Sequence, residues 1–378
     1  MVISNPCTVQ QMAKKWGISV RRVSKLCEDG RIPGAEKFSD VWMIPEKAEK
    51  PDDARTRSDF NSNDAAKPFI KWAGGKGQLI ETIREYYPIE LGKSIRKYAE
   101  PFIGGGAVLF DILNRFGDEL DEIYISDINR ELIDTYKTIK EQPDELIDAL
   151  KKLQMAHMGL DTDHRKDFFM KNRDLYNEEM VKTNRDKMII ASEFIYLNKT
   201  CFNGLYRVNS KGLFNVPSGV YKNPMICDEA NIRNVSEHLQ NVTIENSSYR
   251  ESKYFIDSET FVYFDPPYRP LTESSSFTSY TKLSFDDDDQ RDLAQYVKEL
   301  TDIGAKVAVS NSDPKNVDPN DDFFDDIYSF ATVNRVQANR MINSKGDGRG
   351  KINEILVTNY PKPDRGSKNE SITLEEFY

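Results

Sequence analysis

The sequence predicts an α/β protein with a largely parallel sheet, preceded by a small helical unit. From Lys67 onward, short apolar runs rich in β-forming residues alternate with helical stretches, which is the pattern of a parallel sheet covered by helices. The length of 378 residues is enough for two or three domains. A hydrophobic fraction of 38% with 11% aromatic residues is ample for packed cores, so the composition excludes an intrinsically disordered chain.

Composition and spacing exclude further classes of protein. No apolar run approaches the roughly 20 residues that a membrane-spanning helix needs, and the start of the chain lacks the charged-then-apolar order of a signal peptide. The four cysteines form no C-x-x-C pair, which argues against a disulfide framework or a zinc site and favours a reduced, cytoplasmic protein. The 52 Lys and Arg against 62 Asp and Glu leave a net charge of −10, which at first sight disfavours a nucleic-acid partner.

Residues 1–45 are predicted to form two helices followed by a β-ribbon. Thr8 caps the first helix, Val9–Trp16, whose apolar residues recur at helical spacing, and Gly17 ends it. Ser19 caps the second helix. The exposed positions of that second helix are basic: Arg21, Arg22 and Lys25.

This basic unit resembles the winged helix-turn-helix of excisionase and MerR-type DNA-binding proteins. Residues 1–50 carry nine Lys or Arg and six Asp or Glu, a net of +3 inside an acidic chain. In such proteins the second helix contacts DNA; the alternative is a helical module that docks a protein partner. The polar segment 46–66 has the composition of a flexible linker, and we place the domain boundary there.

The second domain is predicted to span 67–362, with a short tail at 363–378. Its candidate strands are Lys97–Phe102, Glu122–Ser126, Val242–Glu245, Phe261–Asp265, Lys306–Asn311 and Asn353–Asn359. The region from Arg130 to Leu197 is mostly helical, and the next segment, to about Asn223, is rich in turns.

The strongest chemical signal is Asp265-Pro266-Pro267-Tyr268, which follows an apolar strand. Open α/β sheets bind ligands at the carboxyl ends of their strands. Two prolines stiffen the turn, and the Asp265 carboxylate and Pro266 carbonyl together can accept both hydrogens of one NH₂ group. Tyr268 offers a face on which a planar base stacks. The alternative is an ordinary strand-ending turn with a structural tyrosine.

Two further signals follow predicted strands. The turn from Glu100 to Gly106 is rich in glycine and precedes a helix, which lets the backbone approach a nucleoside ligand closely. Asp127, at the end of the next strand, is placed to bind ribose hydroxyls, although it also fits a helix cap. The segment from Lys71 to Lys76, K-W-A-G-G-K, is too short for a Walker loop and is interpreted as a tight turn before a helix.

Two locally basic segments favour a nucleic-acid partner in spite of the net charge of −10. Residues 194–227 contain no acidic residue, and their cations are Lys199, Arg207, Lys211 and Lys222. With interleaved aromatic and Asn side chains, this window favours contact with DNA, where cations bind phosphates and Arg and Asn contact base edges. The window from Arg335 to Lys351 has five cations against Asp347. A solvated loop is the alternative for either window.

Together these motifs resemble the Dam-like family of DNA adenine-N6 methyltransferases, in its α-type order of K-W-A-G-G-K, E-P-F-x-G-G-G, acidic strand end, recognition insert and D-P-P-Y. The resemblance extends from about Lys67 to Tyr360. It implies a Rossmann-like S-adenosylmethionine-dependent methyltransferase fold with a helical and loop-rich target-recognition region inserted at about 135–235. It also implies that the substrate is an adenine flipped out of double-stranded DNA and that S-adenosylhomocysteine is the product. The resemblance implies no metal ion and no membrane. The enzyme would act either with a cognate restriction endonuclease, in a restriction-modification pair, or alone.

The resemblance also implies roles for individual residues. The catalytic residues are Asp265, Pro266, Pro267 and Tyr268. The residues that bind the methyl donor are Trp72, Ala73, Gly74, Lys76, Glu100, Pro101, Phe102, Ile103, Gly104, Gly105, Gly106, Asp127, Ile128 and Asp265. The residues that contact DNA are Lys71, Lys199, Phe202, Asn203, Leu205, Arg207, Asn209 and Pro217, in a pattern that accompanies GATC recognition, and a loop at Ser274–Thr281 closes over the base.

Two other functions stay open from the motifs. One is a methyltransferase that acts on cytosine N4, RNA or protein glutamine. Asp265 disfavours the cytosine and glutamine cases, because those families usually carry Ser and Asn, respectively, before the two prolines. A non-enzymatic DNA-binding regulator with an inert methyltransferase fold is disfavoured by the intact D-P-P-Y motif.

Overall fold

The computed structural model describes residues 6–28, 31–38, 41–48, 50, 65–271, 285–339 and 351–364. Its helices are α1 (Val9–Trp16), α2 (Val20–Glu28), α3 (Ile80–Arg84), α4 (Ala107–Phe116), α5 (Arg130–Glu141), α6 (Pro143–Met158), α7 (Thr162–Met180), α8 (Lys187–Thr200), α9 (Glu229–Leu239), α10 (Asp287–Asp302) and α11 (Phe323–Ile327). Its strands are β1 (Pro6–Cys7), β2 (Glu36–Phe38), β3 (Val41–Pro45), β4 (Lys97–Glu100), β5 (Glu122–Ser126), β6 (Val242–Glu245), β7 (Thr260–Phe264), β8 (Lys306–Ser312), β9 (Thr332–Asn339) and β10 (Lys351–Thr358). The predicted loop Ser274–Thr281 and most of the predicted linker and tail lie outside the described residues.

The central sheet has the order β6-β5-β4-β7-β8-β10-β9. The strands from β6 to β8 pair in parallel, whereas β10 is antiparallel to both of its neighbours, which confirms an α/β fold with a mostly parallel sheet. The chain enters the sheet at β4, moves outward to β5 and β6, and then returns to β7 on the other side of β4. The order of the strands therefore reverses between β4 and β7, which is where open α/β sheets bind ligands.

Alternating side chains of the strands build two cores, one on each face of the sheet. In β7, Phe261 and Tyr263 belong to the core that includes α4, α5 and the inserted helices, whereas Val262 and Phe264 belong to the core that includes α10. All five residues of β7 are buried, as expected for a central parallel strand. Among the described helices, none is both long and apolar enough to cross a membrane.

All six predicted strands of the second domain are present, with ends shifted by up to two residues. The prediction missed β9, an edge strand in which polar and apolar residues do not alternate strictly, since Asn334 and Arg335 are both polar. The first residue of the second basic window, Arg335, lies in β9 and forms ion pairs with Asp313 and Asp325 at 3.2 and 2.7 Å. The guanidinium of Arg335 therefore stabilises the folded structure through these two ion pairs.

The N-terminal residues form α1, α2 and a three-stranded sheet in the order β1-β3-β2 around a core of their own. As predicted, Thr8 caps α1, here in a reciprocal capping box with Gln11, and Gly17 ends it in the left-handed conformation. The side chain of Ser19 accepts the backbone N–H of Arg22 at the start of α2.

Helix α2 packs against the second domain. Arg22, which is buried and not exposed as predicted, forms an ion pair with Asp118, and the hydroxyl of Ser19 donates to the Asp118 carbonyl at 2.7 Å. Arg21 contacts the side-chain amide of Asn241, whose oxygen accepts from it at 2.9 Å once the amide is turned to satisfy both groups. Asp118 and Asn241 precede β5 and β6, respectively. The contact is therefore at the amino ends of the parallel strands, opposite the edge at which such sheets bind ligands.

Candidate active site

Three carboxylates converge at the carboxyl ends of neighbouring strands. Glu100 ends β4, Asp127 follows β5, and Asp265 follows β7. Because β4, β5 and β7 run in parallel, these positions lie along one edge of the sheet. The structure thus brings together the side chains that three separate motifs singled out.

Asp265 is paired with a lysine from a distant part of the chain. The ammonium of Lys76 lies 2.6 Å from one carboxylate oxygen of Asp265 and 2.7 Å from the other, and it also donates to the Gly74 carbonyl at 2.7 Å. The same ammonium stands over the ring of Tyr268, 4.7 Å from its centroid. Burial raises the pKa of Asp265 above its ordinary value, although the charge of Lys76 acts in the opposite direction.

Side chains from other elements form hydrogen bonds to the backbone of the turn after β7 at Pro267 and Arg269. Gln290, which is fully buried, donates to the Pro267 carbonyl at 3.0 Å, and the side chain of Asn311 accepts the N–H of Arg269 at 3.0 Å. Within the described residues, no donor is bonded to the Pro266 carbonyl. Two adjacent carbonyls thus differ, since one is bonded to the protein and the other is available to a ligand.

The glycine-rich turn is tightly enclosed by aromatic side chains. Gly104 and Gly106 have φ of +46° and +71°, in the left-handed region that favours glycine. A Cβ at Gly104 would lie 2.7 Å from the indole of Trp72, and one at Gly106 would lie 2.5 Å from the hydroxyl of Tyr136. No larger residue fits at either position without displacing these rings.

Asp127 organises the opposite side of this turn. One carboxylate oxygen accepts the N–H of Gly104 at 3.2 Å and the other accepts the N–H of Asn129 at 2.9 Å. The capping interpretation of Asp127 is wrong, because Asn129 caps α5 by accepting the N–H of Leu132. Burial raises its pKa to about 6. Ile128, next in the chain, is 50% exposed.

Glu100 differs from Asp127 because it is enclosed by protein. Its carboxylate accepts the hydroxyl of Tyr98 at 2.6 Å, and only 3% of the residue is exposed. Burial raises its pKa well above the ordinary value. The three residues that follow, Pro101, Phe102 and Ile103, connect β4 to the turn, and the ring of Phe102 stacks on Tyr249 with 5.2 Å between centroids.

The first motif and the recognition insert are joined through Asn198. This buried side chain accepts the N–H of Lys71 at 2.9 Å and donates to the carbonyls of Lys71 and Gly204 at 2.8 and 3.0 Å. A Cβ at Gly204 would lie 2.5 Å from the Lys71 side chain. Trp72 also stacks on Tyr206 of the insert, with 5.6 Å between centroids. Lys71 and Trp72 therefore belong to the same surface as the insert.

The insert presents an exposed hairpin. The backbone of Arg207 accepts the N–H of Asn215, and its guanidinium donates to the Asn215 side chain at 2.8 Å, while Asn209 caps the turn by accepting the N–H groups of Lys211 and Leu213. Phe202 is 53% exposed. Asn203, Arg207 and Pro217 are exposed as well, whereas Leu205 and Lys199 are half-buried.

The family model for D12 class N6 adenine-specific DNA methyltransferases matches residues 72–342. The chain belongs to this family. The type II methyltransferase M.MjaIII of Methanocaldococcus jannaschii is 49% identical over 296 residues, which are 78% of this chain and 99% of that protein. The type II methyltransferase M1.LlaDCHI of Lactococcus lactis subsp. cremoris is 37% identical over 78% of this chain and 95% of its own length. The DNA adenine methylase of Vibrio cholerae O395 is 34% identical over 77% of this chain and 95% of its own length.

This protein is thus a site-specific DNA methyltransferase that acts on N6 of adenine, and its family uses S-adenosylmethionine. The residues at this edge of the sheet fit that cofactor, because a turn that admits only glycine and a carboxylate at the end of the next strand are the features that hold a nucleoside in α/β folds. Among the described residues, no group of three or more His, Cys, Asp or Glu is arranged to hold a metal ion; that the methyltransferase needs none stays a prediction.

Several residues of this methyltransferase site carry no motif and were missed. Gln290, Asn311 and Ser312 hold the turn after β7, and Glu354 accepts the hydroxyl of Tyr268. Asn311 and Ser312 end a predicted strand, so the strand-end argument that selected Asp127 also applies to them. Gln290 and Glu354 have no comparable signal, because only the tertiary fold brings them to the turn.

Proposed function

We propose that this enzyme methylates adenine in GATC within double-stranded DNA, after the base has been flipped out of the duplex. The observation that carries the proposal is the pair of acceptors after β7. The Asp265 carboxylate and the Pro266 carbonyl are adjacent, and no donor among the described residues is bonded to that carbonyl. Two such acceptors match the two hydrogens of an exocyclic amine.

In this mechanism the protein positions and polarises the amine. Asp265 and the Pro266 carbonyl accept its two hydrogens, which draws its lone pair out of conjugation with the ring, and Tyr268 stacks on the base. S-adenosylmethionine, when bound, would supply a methyl group on a positively charged sulfur, and it would leave as the neutral thioether S-adenosylhomocysteine, while the proton released from the methylated amine would pass to solvent. Lys76 contacts both oxygens of Asp265 and stands over the ring of Tyr268, so its ammonium must move before the base stacks and its amine reaches the carboxylate.

The proposed cofactor site is the edge of the sheet at β4 and β5. Asp127 accepts ribose hydroxyls, the turn from Phe102 to Gly106 encloses the nucleoside, and Trp72 to Lys76 cover it from the first motif. Glu100 supports this turn from inside the protein, because it is buried and hydrogen-bonded to Tyr98.

The proposed sequence-reading surface is the insert together with Lys71. Arg207 is exposed, and its guanidinium is oriented by Asn215, which accepts from Nε through its side chain at 2.8 Å and from one terminal nitrogen through its carbonyl at 3.3 Å. We propose that this oriented guanidinium makes the bidentate contact that Arg makes with guanine. Phe202 and Asn203 stand beside the flipped base, and Leu205 and Pro217 contact a thymine methyl. Burial lowers the pKa of Lys199, and Asn209 acts by shaping the hairpin.

For the N-terminal residues we propose a winged helix-turn-helix that binds DNA away from the target site. Two helices and a three-stranded sheet with its own core support the architecture. In the described arrangement Arg21 and Arg22 contact the methyltransferase domain, so DNA contact by these two arginines requires α2 to leave that domain. Lys25 lies on the exposed side of α2.

A duplex-methylation assay tests the proposed function. Transfer of a labelled methyl group is measured on a synthetic duplex with one GATC, on a scrambled duplex and on RNA of the same sequence, with wild type and Asp265→Ala. We expect transfer to the GATC duplex alone, by wild type alone. Equal transfer to scrambled DNA would contradict the GATC assignment, and equal activity in the variant would contradict the role of Asp265.

A further inference from the structure

The ring of Tyr268 is held from the far side by a strand that no catalytic motif includes. Its hydroxyl donates to the Glu354 carboxylate at 2.7 Å, and Glu354 lies on β10. In the sheet register Glu354 is directly opposite Ser312 of β8. Ser312 in turn donates from its hydroxyl to the carbonyl of Arg269 at 2.7 Å. One pair of strands thus anchors both the tyrosine hydroxyl and the backbone that follows the tyrosine.

The hydrogen bond to Glu354 restricts the orientation of the Tyr268 ring. The χ2 torsion of a tyrosine is broad and roughly two-fold, so the backbone alone does not fix the plane of the ring. A hydrogen bond to an ionised carboxylate is about twice as strong as one between neutral groups, and it fixes the hydroxyl end. Burial raises the pKa of Tyr268 well above its ordinary value, so the hydroxyl stays protonated and remains the donor.

We propose that Glu354 is a positioning residue for methyl transfer, which holds the ring of Tyr268 in the plane that stacks on the target adenine. This role rests on the proposed function, in which Tyr268 contacts the base. Glu354 itself touches neither the base nor the cofactor; it acts through the tyrosine.

The position of β10 does not depend on the Glu354 side chain. The neighbouring residue Asn353 is bound on both sides by Asn316, which accepts its N–H at 3.0 Å and donates to its carbonyl at 2.7 Å. Backbone pairing with β8 and β9 continues along the rest of the strand. Variants of Glu354 are therefore expected to keep the sheet intact, so that a change in activity reports on the ring.

A double-mutant cycle tests this role. Glu354→Ala, Tyr268→Phe and the double variant are compared for kcat, KM for the GATC duplex, cofactor affinity and thermal midpoint. We expect kcat of Glu354→Ala to fall about tenfold or more, since a hydrogen bond to a charged group is lost, with cofactor affinity unchanged. In the Tyr268→Phe background, Glu354→Ala should have no further effect. Glu354→Gln, which keeps an oxygen acceptor, should recover part of the loss.

A spectroscopic measurement separates positioning from a general loss of structure. 2-Aminopurine at the target position reports by its fluorescence whether the flipped base is stacked, and we expect a brighter signal with Glu354→Ala than with wild type. Tyr87→Phe is the matched control, because it removes a tyrosine hydroxyl bonded to a carboxylate, Asp111, at 2.9 Å outside the site. We expect wild-type kcat and wild-type fluorescence from this control.

Wild-type kcat and fluorescence in Glu354→Ala, or full additivity in the double variant, would overturn the role of Glu354 alone. A wild-type enzyme that leaves the GATC duplex unmethylated would overturn the proposed function and this role with it. The two failures therefore appear in different arms of the same experiment.

Discussion

At the scale of single residues, the carboxylates at the edge of the sheet are distinguished by their partners. Asp265 is paired with a lysine, Glu100 with a buried tyrosine hydroxyl, and Asp127 with backbone N–H groups. Burial raises the pKa of all three. For Asp127 burial raises the pKa to about 6, so its protonation can be followed by titration.

We predict that cofactor affinity depends on the ionisation of Asp127. Its pKa of about 6 means that at pH 5 only about a tenth of the carboxylate is ionised, so the dissociation constant for S-adenosylmethionine should be about tenfold higher at pH 5 than at pH 8. Asp127→Asn should bind more weakly at pH 8 and show a flat profile. Isothermal titration calorimetry measures both; parallel profiles would contradict the prediction.

The raised pKa of Asp127 also makes the free energy of unfolding depend on pH. Because the pKa of Asp127 is higher in the folded protein than its ordinary value of 3.8, ionisation is less favourable when folded. The free energy of unfolding of the wild type, compared with Asp127→Asn, should therefore fall as pH rises from about 4 to about 6 and then level off. Denaturant unfolding without cofactor checks this difference, and a difference that grows instead would contradict it.

At the scale of elements, the insert depends on its connection to the first motif. Asn198, near the end of α8, binds the backbone of Lys71 and Gly204, and the hairpin from Arg207 to Asn215 projects beyond them. A buried amide thus sets the position of the surface that we propose reads the sequence. The sequence predicts DNA contact for the Asn residues of this window, but Asn198 is buried and cannot make it.

We predict that Arg207→Ala reduces discrimination between GATC and a site altered at one guanine. Loss of a bidentate contact with guanine costs about 1–3 kcal/mol, so the preference should fall about 5- to 150-fold. Lys211→Ala, at the tip of the same hairpin, is the matched control and should weaken binding to both duplexes alike. Competitive methylation of the two duplexes measures the preference; an unchanged preference in Arg207→Ala would remove this residue from recognition.

At the scale of the whole molecule, the sequence predicted the parallel sheet, the strand-end carboxylates and the N-terminal helices. These features depend on local periodicity and on residues next to one another in the chain. It did not predict that α2 packs on the amino ends of the strands, that Glu354 reaches Tyr268, or that Arg335 is held by Asp313 and Asp325. Each of these contacts joins residues that are distant in sequence, and no local pattern encodes which face of an element meets another.

We predict that deletion of residues 1–60 leaves kcat within about threefold of the full chain, since the methyltransferase has its own cores and its site is at the opposite edge of the sheet. Affinity for long duplex DNA should fall about tenfold at low salt. Asp118→Asn, which weakens the contact with Arg22 without removing the unit, should keep that affinity. Gel-shift assays measure the DNA affinity and steady-state assays measure kcat. A truncated protein that folds but is inactive would contradict this division between DNA binding and catalysis.

The most direct test of the central claim is methylome sequencing of DNA from cells that express the wild-type enzyme or Asp265→Ala, in a host without adenine methylation of its own. The wild type should produce N6-methyladenine in GATC, and Asp265→Ala should produce none. Methylation of another base, or of GATC by both proteins, would contradict the account.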